Sequence, residues 1–157
     1  AWIVHDVVLA ADGVEALTMT ADGALDPFAV AVLEHTPDPA PAPATAPEAL
    51  RVAAVYPWKV IAEAQLESPG ILVVSEVDYP GWGVRVNGER AEALRAYGVL
   101  RAVALPAGSH LVEWAFRPLT VFVGLGWAGV TLLGVAVTLA LRRLSRNGRP
   151  TRNLTAR

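Results

Sequence analysis

The stretch from Pro118 to Leu141 constrains the fold more than any other part of the chain. Its 24 residues, PLTVFVGLGWAGVTLLGVAVTLAL, contain no charged side chain. About 20 apolar residues in a helix are enough to cross the hydrocarbon core of a bilayer. A buried helix of a soluble domain is the alternative, but such a helix rarely lacks every charge over this length. The sequence therefore predicts one transmembrane helix at residues 118–141.

Charge is distributed unevenly on the two sides of this segment. All 15 acidic residues lie between Asp6 and Glu113, and residues 1–117 hold 7 basic residues, so this part carries 7 − 15 = −8. Residues 142–157 contain six arginines and no acid. Because arginine-rich flanks stay on the cytoplasmic side, we expect residues 1–117 to be extracytoplasmic and the basic tail to be cytoplasmic, in a cell membrane. A tail in this position is typical of a topology signal that contacts anionic lipid, and no nucleic acid partner is expected.

The chain contains no cysteine and begins at Ala1 within an apolar run. The absence of cysteine excludes disulfides, thiolate metal sites and cysteine nucleophiles. Because there is no initiating methionine and no signal peptide, we expect a fragment, the tail of a longer protein.

The residue pattern ahead of the helix predicts a mainly β fold, resembling a β-sandwich, with a short N-terminal α/β piece. Residues 1–35 form that piece, with a strand from Trp2 to Leu9 and a helix that starts at Asp12 and turns Val14, Leu17 and Met19 inward. Residues 36–49 contain five prolines and are a linker or an exposed loop. Residues 50–117 have strand patterns with turn signals every eight to twelve residues, which is typical of a sandwich. The expected strands are 51–56, 59–67, 71–76, 83–86, 90–96, 99–105 and 111–117. In the last strand Val112, Trp114 and Phe116 alternate onto one face, which predicts that Trp114 belongs to the core.

Two dipeptides in VDYPGWGVRVNG, residues 77–88, predict tight turns. Pro80-Gly81 suits the central positions of a type II turn. Asn87-Gly88 is the strongest two-residue hairpin signal, because a type I′ turn needs two positive φ angles. We therefore expect residues 83–86 to pair with the strand after Glu89, with Arg85 on the face opposite to its valine neighbours.

Six motifs follow one another through the second half of the chain: Ser75–Trp82, Val86–Gly88, Tyr97, Arg101–Val103, Leu105–His110 and Arg117-Pro118. As an ordered set they resemble the C-terminal end of YfhO-type bacterial membrane proteins. In that family a YPGW…V-D-G element precedes RAV-x-(V/L)-P-x-G-x-H-x-V and Y/F-x-P, and a last membrane helix closes the chain. The resemblance covers nearly the whole chain. It departs from the family pattern in Asn87, where Asp is usual, and in the long proline-rich loop.

The resemblance implies a longer, multi-pass parent protein similar to GT-C glycosyltransferases. Such a protein would move a sugar from a polyprenyl-phosphate carrier onto a cell-envelope polymer, such as a teichoic acid. The catalytic acids of that architecture lie on an early extracytoplasmic loop, outside this chain. By that analogy the chain is a C-terminal accessory domain with the last membrane helix and no complete active site. The implied partners are the bilayer, the missing N-terminal transmembrane helices and a cell-envelope polysaccharide.

Tyr79 and Trp82 are the candidate ligand-binding residues. Their flat rings could cover the apolar face of a saccharide, while Asp78, Arg85 and Asn87 offer hydrogen bonds. The alternative is that these residues serve packing and turns, with Trp82 as a plug at the end of the sandwich. A membrane-anchored extracytoplasmic module that binds a glycan or a protein is therefore the second function to consider.

No motif predicts catalysis, a metal site or a cofactor. Glu76 and Asp78 share one face of a strand, but hard cations need six or more oxygen ligands and no third ligand is near. His5, His35 and His110 lack metal-site spacing, and His110 is expected to bond the backbone beside the preceding turn. The sequence also lacks a Gly-x-Ser-x-Gly nucleophile elbow, a phosphate loop and a dinucleotide fingerprint.

Overall fold

A computed structural model describes residues 1–147, in which eleven strands and two helices are found. The elements in chain order are β1 (Trp2–Val4), β2 (Asp6–Leu9), α1 (Gly13–Ala21), β3 (Val30–Leu33), β4 (Ala49–Tyr56), β5 (Lys59–Leu66), β6 (Gly70–Val77), β7 (Trp82–Val86), β8 (Glu89–Ala91), β9 (Leu94–Ala96), β10 (Leu100–Leu105), β11 (Gly108–Phe116) and α2 (Leu119–Asn147).

The strands form two sheets. The six-stranded sheet has the order β1-β6-β10-β9-β3-β2, and the five-stranded sheet has the order β4-β5-β11-β7-β8. The one parallel pairing among the described strands joins β2 to β3, and α1 connects them, because parallel neighbours need a crossover. The predicted fold class is confirmed: a mainly β, sandwich-like fold with a short N-terminal α/β piece and one C-terminal apolar helix.

Buried side chains lie on both faces of the six-stranded sheet. One cluster fills the space between the two sheets and includes Leu72, Val103 and Trp114. A second cluster lies on the other face of the six-stranded sheet and includes Ile71, Val73 and residues of α1 and β3. Successive residues from Ile71 to Val74 therefore point into different cores and are all buried, which explains the uninterrupted apolar run ILVV in this part of β6.

The predicted turns are present. Asn87 and Gly88 have φ angles of 53° and 86°, and β7 pairs with β8 in the register Val84↔Ala91 to Val86↔Glu89. Gly81 has φ of 112°, and the Trp82 N–H donates to the Tyr79 carbonyl at 3.4 Å. Both turns therefore have the backbone conformation that their sequences predict.

The N-terminal piece does not form a layer of its own. The strand expected from Trp2 to Leu9 is broken at His5, so that β1 pairs with β6 while β2 pairs with β3. The strand expected at residues 90–96 is likewise divided, with β8 in the five-stranded sheet and β9 in the six-stranded one. Periodicity alone cannot detect a strand that changes sheets, since the apolar alternation continues across the break.

The prediction that Val14 and Leu17 face inward is wrong. Asp12 caps the helix as expected, since its Oδ1 accepts from the Val14 and Glu15 N–H groups at 2.9 Å. However, the helix backbone lies against Gly98, where an added Cβ would sit 2.3 Å from the Gly13 carbonyl oxygen. Only a small side chain fits such a close approach, so Ala16 is buried and Val14 is 75 % exposed.

The proline-rich segment, residues 36–49, is hydrogen-bonded to the sandwich and is not a free linker. The Ala42 N–H donates to the Pro69 carbonyl at 2.8 Å, and the Ser68 hydroxyl donates to the Ala42 carbonyl at 2.7 Å. The Glu67 carboxylate accepts from the Thr45 N–H at 2.6 Å. These bonds fasten the segment to the β5–β6 turn.

The chain divides into two compact units at the predicted start of the membrane segment. One unit is Ala1–Arg117, and the other begins at Pro118 and contains α2. The tail arginines Arg149, Arg152 and Arg157 lie outside the described residues.

Candidate functional site

Three aromatic rings meet where the chain leaves the sandwich. Tyr79 contacts Phe116 with ring centroids 5.5 Å apart, and Trp82 lies at the same distance from Phe116. Tyr79 and Trp82 meet edge to face at 6.4 Å. The Gly81 carbonyl accepts from the Arg117 N–H at 2.6 Å. The Tyr79–Trp82 loop is therefore bonded to the last residue before the helical unit.

A second aromatic loop is bonded to the same segment. Tyr56, the last residue of β4, and Trp58, in the turn that follows, stack with centroids 5.9 Å apart. The Trp58 carbonyl accepts from the Phe116 N–H at 2.9 Å. Their exposed fractions are 50 % and 61 %. We call Phe116, Arg117 and the loops 56–58 and 79–82 the exit end. Tyr56 and Trp58 could not be predicted as part of this end, because only the pairing of β11 with β5 places them there.

A buried cation, the Arg101 guanidinium group, packs against the Trp82 ring. The Arg101 guanidinium carbon lies 3.8 Å from the Trp82 ring centroid and 5.5 Å from that of Trp114. Arg101 is 1 % exposed and its Nη2 donates to the Glu76 carboxylate. Burial lowers the pKa of Arg101, but an arginine side chain keeps its proton in proteins. The stack therefore holds a charged group under the indole ring.

The five predicted ligand-binding residues do not form one site. Tyr79 and Trp82 lie together at the exit end, and Arg85 lies on the outer face of β7. Asp78 is engaged elsewhere, with its Oδ2 3.4 Å from Arg95 Nε and its N–H bonded to the Val99 carbonyl at 2.7 Å.

Asn87 lies at the other end of the β7–β8 hairpin. Its Oδ1 accepts from the Leu111 N–H at 2.8 Å, and its own N–H donates to the Leu111 carbonyl at 2.9 Å. These bonds assign Asn87 a structural role in linking the hairpin turn to β11.

The acid pair considered for a metal is divided between two cations. Glu76 bonds Arg101 and Asp78 bonds Arg95, and no group of three potential ligands from His, Cys, Asp and Glu occurs among the described residues. His110 bonds the Pro106 carbonyl at 2.9 Å, which confirms the backbone contact expected for it. His5 bonds Glu48 and the Pro69 carbonyl.

The α2 helix begins at Leu119, two residues after Arg117 in the chain. The window Val123–Arg143 has a mean hydropathy of 1.9, and none of its side chains is buried within the described chain. It is long and apolar enough to cross a membrane. Exposed residues in it include Leu125, Trp127, Leu132 and Leu133. A helix of this composition without a covering layer is consistent with membrane anchoring.

Comparison with known protein families, with curated proteins and with solved structures finds no match to this chain.

Proposed function

We propose that the chain is a membrane-anchored β-sandwich domain that acts as the C-terminal accessory part of a multi-pass envelope protein. The parent protein would resemble polyprenyl-phosphate-sugar-dependent glycosyltransferases of the cell wall or of teichoic acid. In this proposal the sandwich positions the acceptor polymer, and the catalytic acids belong to the parent chain. The single observation that carries the proposal is α2, because an apolar helix with every described side chain of its window exposed requires lipid or other helices around it.

The exit end supports the membrane part of the proposal. Tyr and Trp are enriched at membrane–water interfaces, where their rings lie at the level of the headgroups. Both loops that hold Phe116 and Arg117 carry half-exposed aromatic rings. An interfacial location for this end of the domain follows if α2 spans the bilayer, since Arg117 and Leu119 are two residues apart.

The small residues of α2 support the presence of further helices. A Cβ added at Gly124, Gly126 or Gly129 would meet nothing within 4 Å. Small residues allow close helix–helix approach in lipid. The missing N-terminal helices of the parent chain are the proposed neighbours.

The experiment has two arms. The chain should resist alkaline carbonate extraction from membranes, whereas a Leu132→Arg/Leu133→Arg variant should be extracted because two charges near the helix centre oppose insertion. For orientation, a reporter fused after Arg157 in the parent protein should be active in the cytoplasm and inactive outside. Extraction of the wild-type chain, or a reporter active outside, would contradict the proposal.

The second candidate is a self-sufficient anchored module that binds a glycan or a protein through Tyr79 and Trp82. Tyr79 is 48 % exposed and supplies an edge that a ligand could contact. The two candidates differ in whether α2 needs partners. A stable, monomeric chain in detergent that binds polysaccharide by itself would favour the second.

A further inference from the structure

Basic side chains are concentrated in one place on an acidic domain. Residues 1–117 carry seven basic and 15 acidic side chains. Four of the seven basic residues line a single groove of about 270 Å³: Lys59, Arg85, Arg90 and Arg117. The other three each pair with a carboxylate, in the pairs Arg51–Glu63, Arg95–Asp78 and Arg101–Glu76.

The groove lies on the outer face of the five-stranded sheet, across β5, β11, β7 and β8. Cross-strand pairing sets Arg85 beside Arg90 and Glu113, and sets Ala115 between Gly83 and Lys59. The floor is made of the two smallest side chains of these rows, Gly83 and Ala115. A Cβ added at Gly83 would meet no atom within 4 Å, so the space above the floor is not filled by the described chain.

The charges in the groove are mostly uncompensated. Glu113 is the one acid that lines it, and its Oε2 lies 3.2 Å from Lys59 Nζ. Arg85 donates to the Gly88 carbonyl at 2.7 Å. Within the described part of the chain, no carboxylate lies at ion-pair distance from Arg85, Arg90 or Arg117. Three arginines therefore line one open space with no carboxylate at ion-pair distance from them.

We propose that this groove binds the phosphodiester headgroup of an anionic membrane lipid. Guanidinium groups bind phosphate oxygens through paired N–H donors, and arginine suits this geometry better than lysine. The volume is slightly below that of sites for whole drug-sized ligands, about 300–1,000 Å³. It therefore suits a headgroup whose acyl chains remain in the bilayer.

The position of Arg117 selects a lipid over a soluble phosphate. Arg117 adjoins Pro118, and consecutive Cα atoms are about 3.8 Å apart, so chain continuity keeps the groove close to the start of α2. This step rests on the proposed membrane location of α2. A tethered groove meets lipid headgroups at a high effective concentration, whereas a soluble phosphate or a phosphodiester polymer gains nothing from the tether.

The test uses the full chain in neutral detergent micelles and native mass spectrometry. Phosphatidylglycerol is titrated against phosphatidylcholine as the neutral comparison. The wild-type chain should retain phosphatidylglycerol preferentially. Arg90→Gln should weaken that retention about tenfold, the loss expected for one charge-assisted contact. The matched control Arg51→Gln removes the same charge from an ion pair on the same sheet, outside the groove, and should change it less than about twofold.

Gly83→Leu tests the groove without a change of charge. Its added side chain enters open space and Gly83 has no positive φ angle, so the variant should fold normally by circular dichroism and lose the preference for phosphatidylglycerol. The proposal would be overturned if Arg90→Gln and Arg51→Gln lost phosphatidylglycerol binding equally. It would also be overturned if Gly83→Leu bound phosphatidylglycerol as well as the wild type does. Stronger binding of inorganic phosphate or of poly(glycerol phosphate) than of phosphatidylglycerol would overturn the assignment to a lipid.

Flotation with phosphatidylcholine vesicles separates this inference from the proposed function. If the chain does not float with the vesicles, the proposed membrane anchoring is wrong. If the chain floats, but the wild type and both groove variants have the same lipid preference, only the proposed lipid site in the groove is wrong.

Discussion

Removal of the Glu76 carboxylate charge should destabilise the sandwich more than removal of its buried partner, Arg101. Arg101 is 1 % exposed, and two of its nitrogens, Nε and Nη1, have no hydrogen-bond acceptor. In Glu76→Gln the guanidinium stays buried and loses the carboxylate that compensates it. A hydrogen bond to a charged group contributes about 1.5–3 kcal/mol, and the Glu76 side chain is 39 % exposed. We therefore expect a cost near the middle of that range, about 2 kcal/mol.

Arg101→Met removes both favourable and unfavourable contributions. It loses the ion pair and the stack on Trp82, the latter about 1–2 kcal/mol. It also removes two buried donors without acceptors, each of which costs about 1–3 kcal/mol. Replacement of a buried ionic group by an apolar side chain of similar volume is often close to neutral. The free energy of unfolding should therefore stay within about 1 kcal/mol of the wild-type value.

Urea unfolding followed by near-ultraviolet circular dichroism measures both effects, because Trp82 and Trp114 lie against the substituted group. With a slope of about 2 kcal/mol per molar urea, the Glu76→Gln midpoint should fall by about 1 M. The control Glu63→Gln, in the exposed pair with Arg51, should shift it by less than about 0.3 M. A large fall of the urea midpoint in Arg101→Met, together with an unchanged midpoint in Glu76→Gln, would refute the reasoning. Stacking on Trp82 would then stabilise the site without the carboxylate.

Three further predictions concern residues elsewhere in the sandwich. Burial lowers the pKa of His5, but hydrogen bonds to Glu48 and to the Pro69 carbonyl outweigh it and raise the pKa above 6.5. The stability from this contact is therefore complete below the unfolded pKa and lost as the pH rises through the raised, folded pKa, so the urea midpoint should fall as the pH rises above 6.5 in the wild type and not in His5→Gln. Asn87→Ala should cost about 1–2 kcal/mol in urea unfolding, because it loses the acceptor for the Leu111 N–H and keeps a positive φ. Trp82→Ala should lower stability by about 2–3 kcal/mol while changing polysaccharide affinity less, and a folded variant that no longer binds polysaccharide would reverse this ranking.

The sequence was sufficient for the features that depend on local chemistry. The two turns at Gly81 and Asn87 follow from backbone preferences, the Asp12 cap follows from its side-chain acceptor, and α2 follows from composition. It was also sufficient for Trp114, whose alternation with Val112 placed it in the core. In each of these cases the deciding interaction lies within a few residues of the chain.

The features that depend on strand pairing could not be predicted from the sequence. Trp58 reaches the exit end because its carbonyl pairs with Phe116, 58 residues later. The groove needs the registers of four strands before Arg85, Arg90 and Lys59 can be placed together. Arg101 is different, since its alternation with Val103 and Leu105 in β10 was visible in the sequence. A charged residue on an apolar strand face signals a buried ion pair, and the partner Glu76 could have been sought on that basis.

If α2 anchors the acidic domain in a membrane, as proposed, the placement of charge has a further physical consequence. A domain that carries −8 is repelled by an anionic bilayer, but charges act over only about 8 Å at physiological ionic strength. Attraction to the bilayer therefore depends more on the charge of the residues near α2 than on the net charge of the domain. The acids on the strands that lead to the exit end, Glu76 and Glu113, each have a basic partner, whereas Arg117 has no carboxylate partner among the described residues. Anionic lipid would then attract the end of the domain that the tether brings to it, while the net charge of the rest keeps other faces away from the surface.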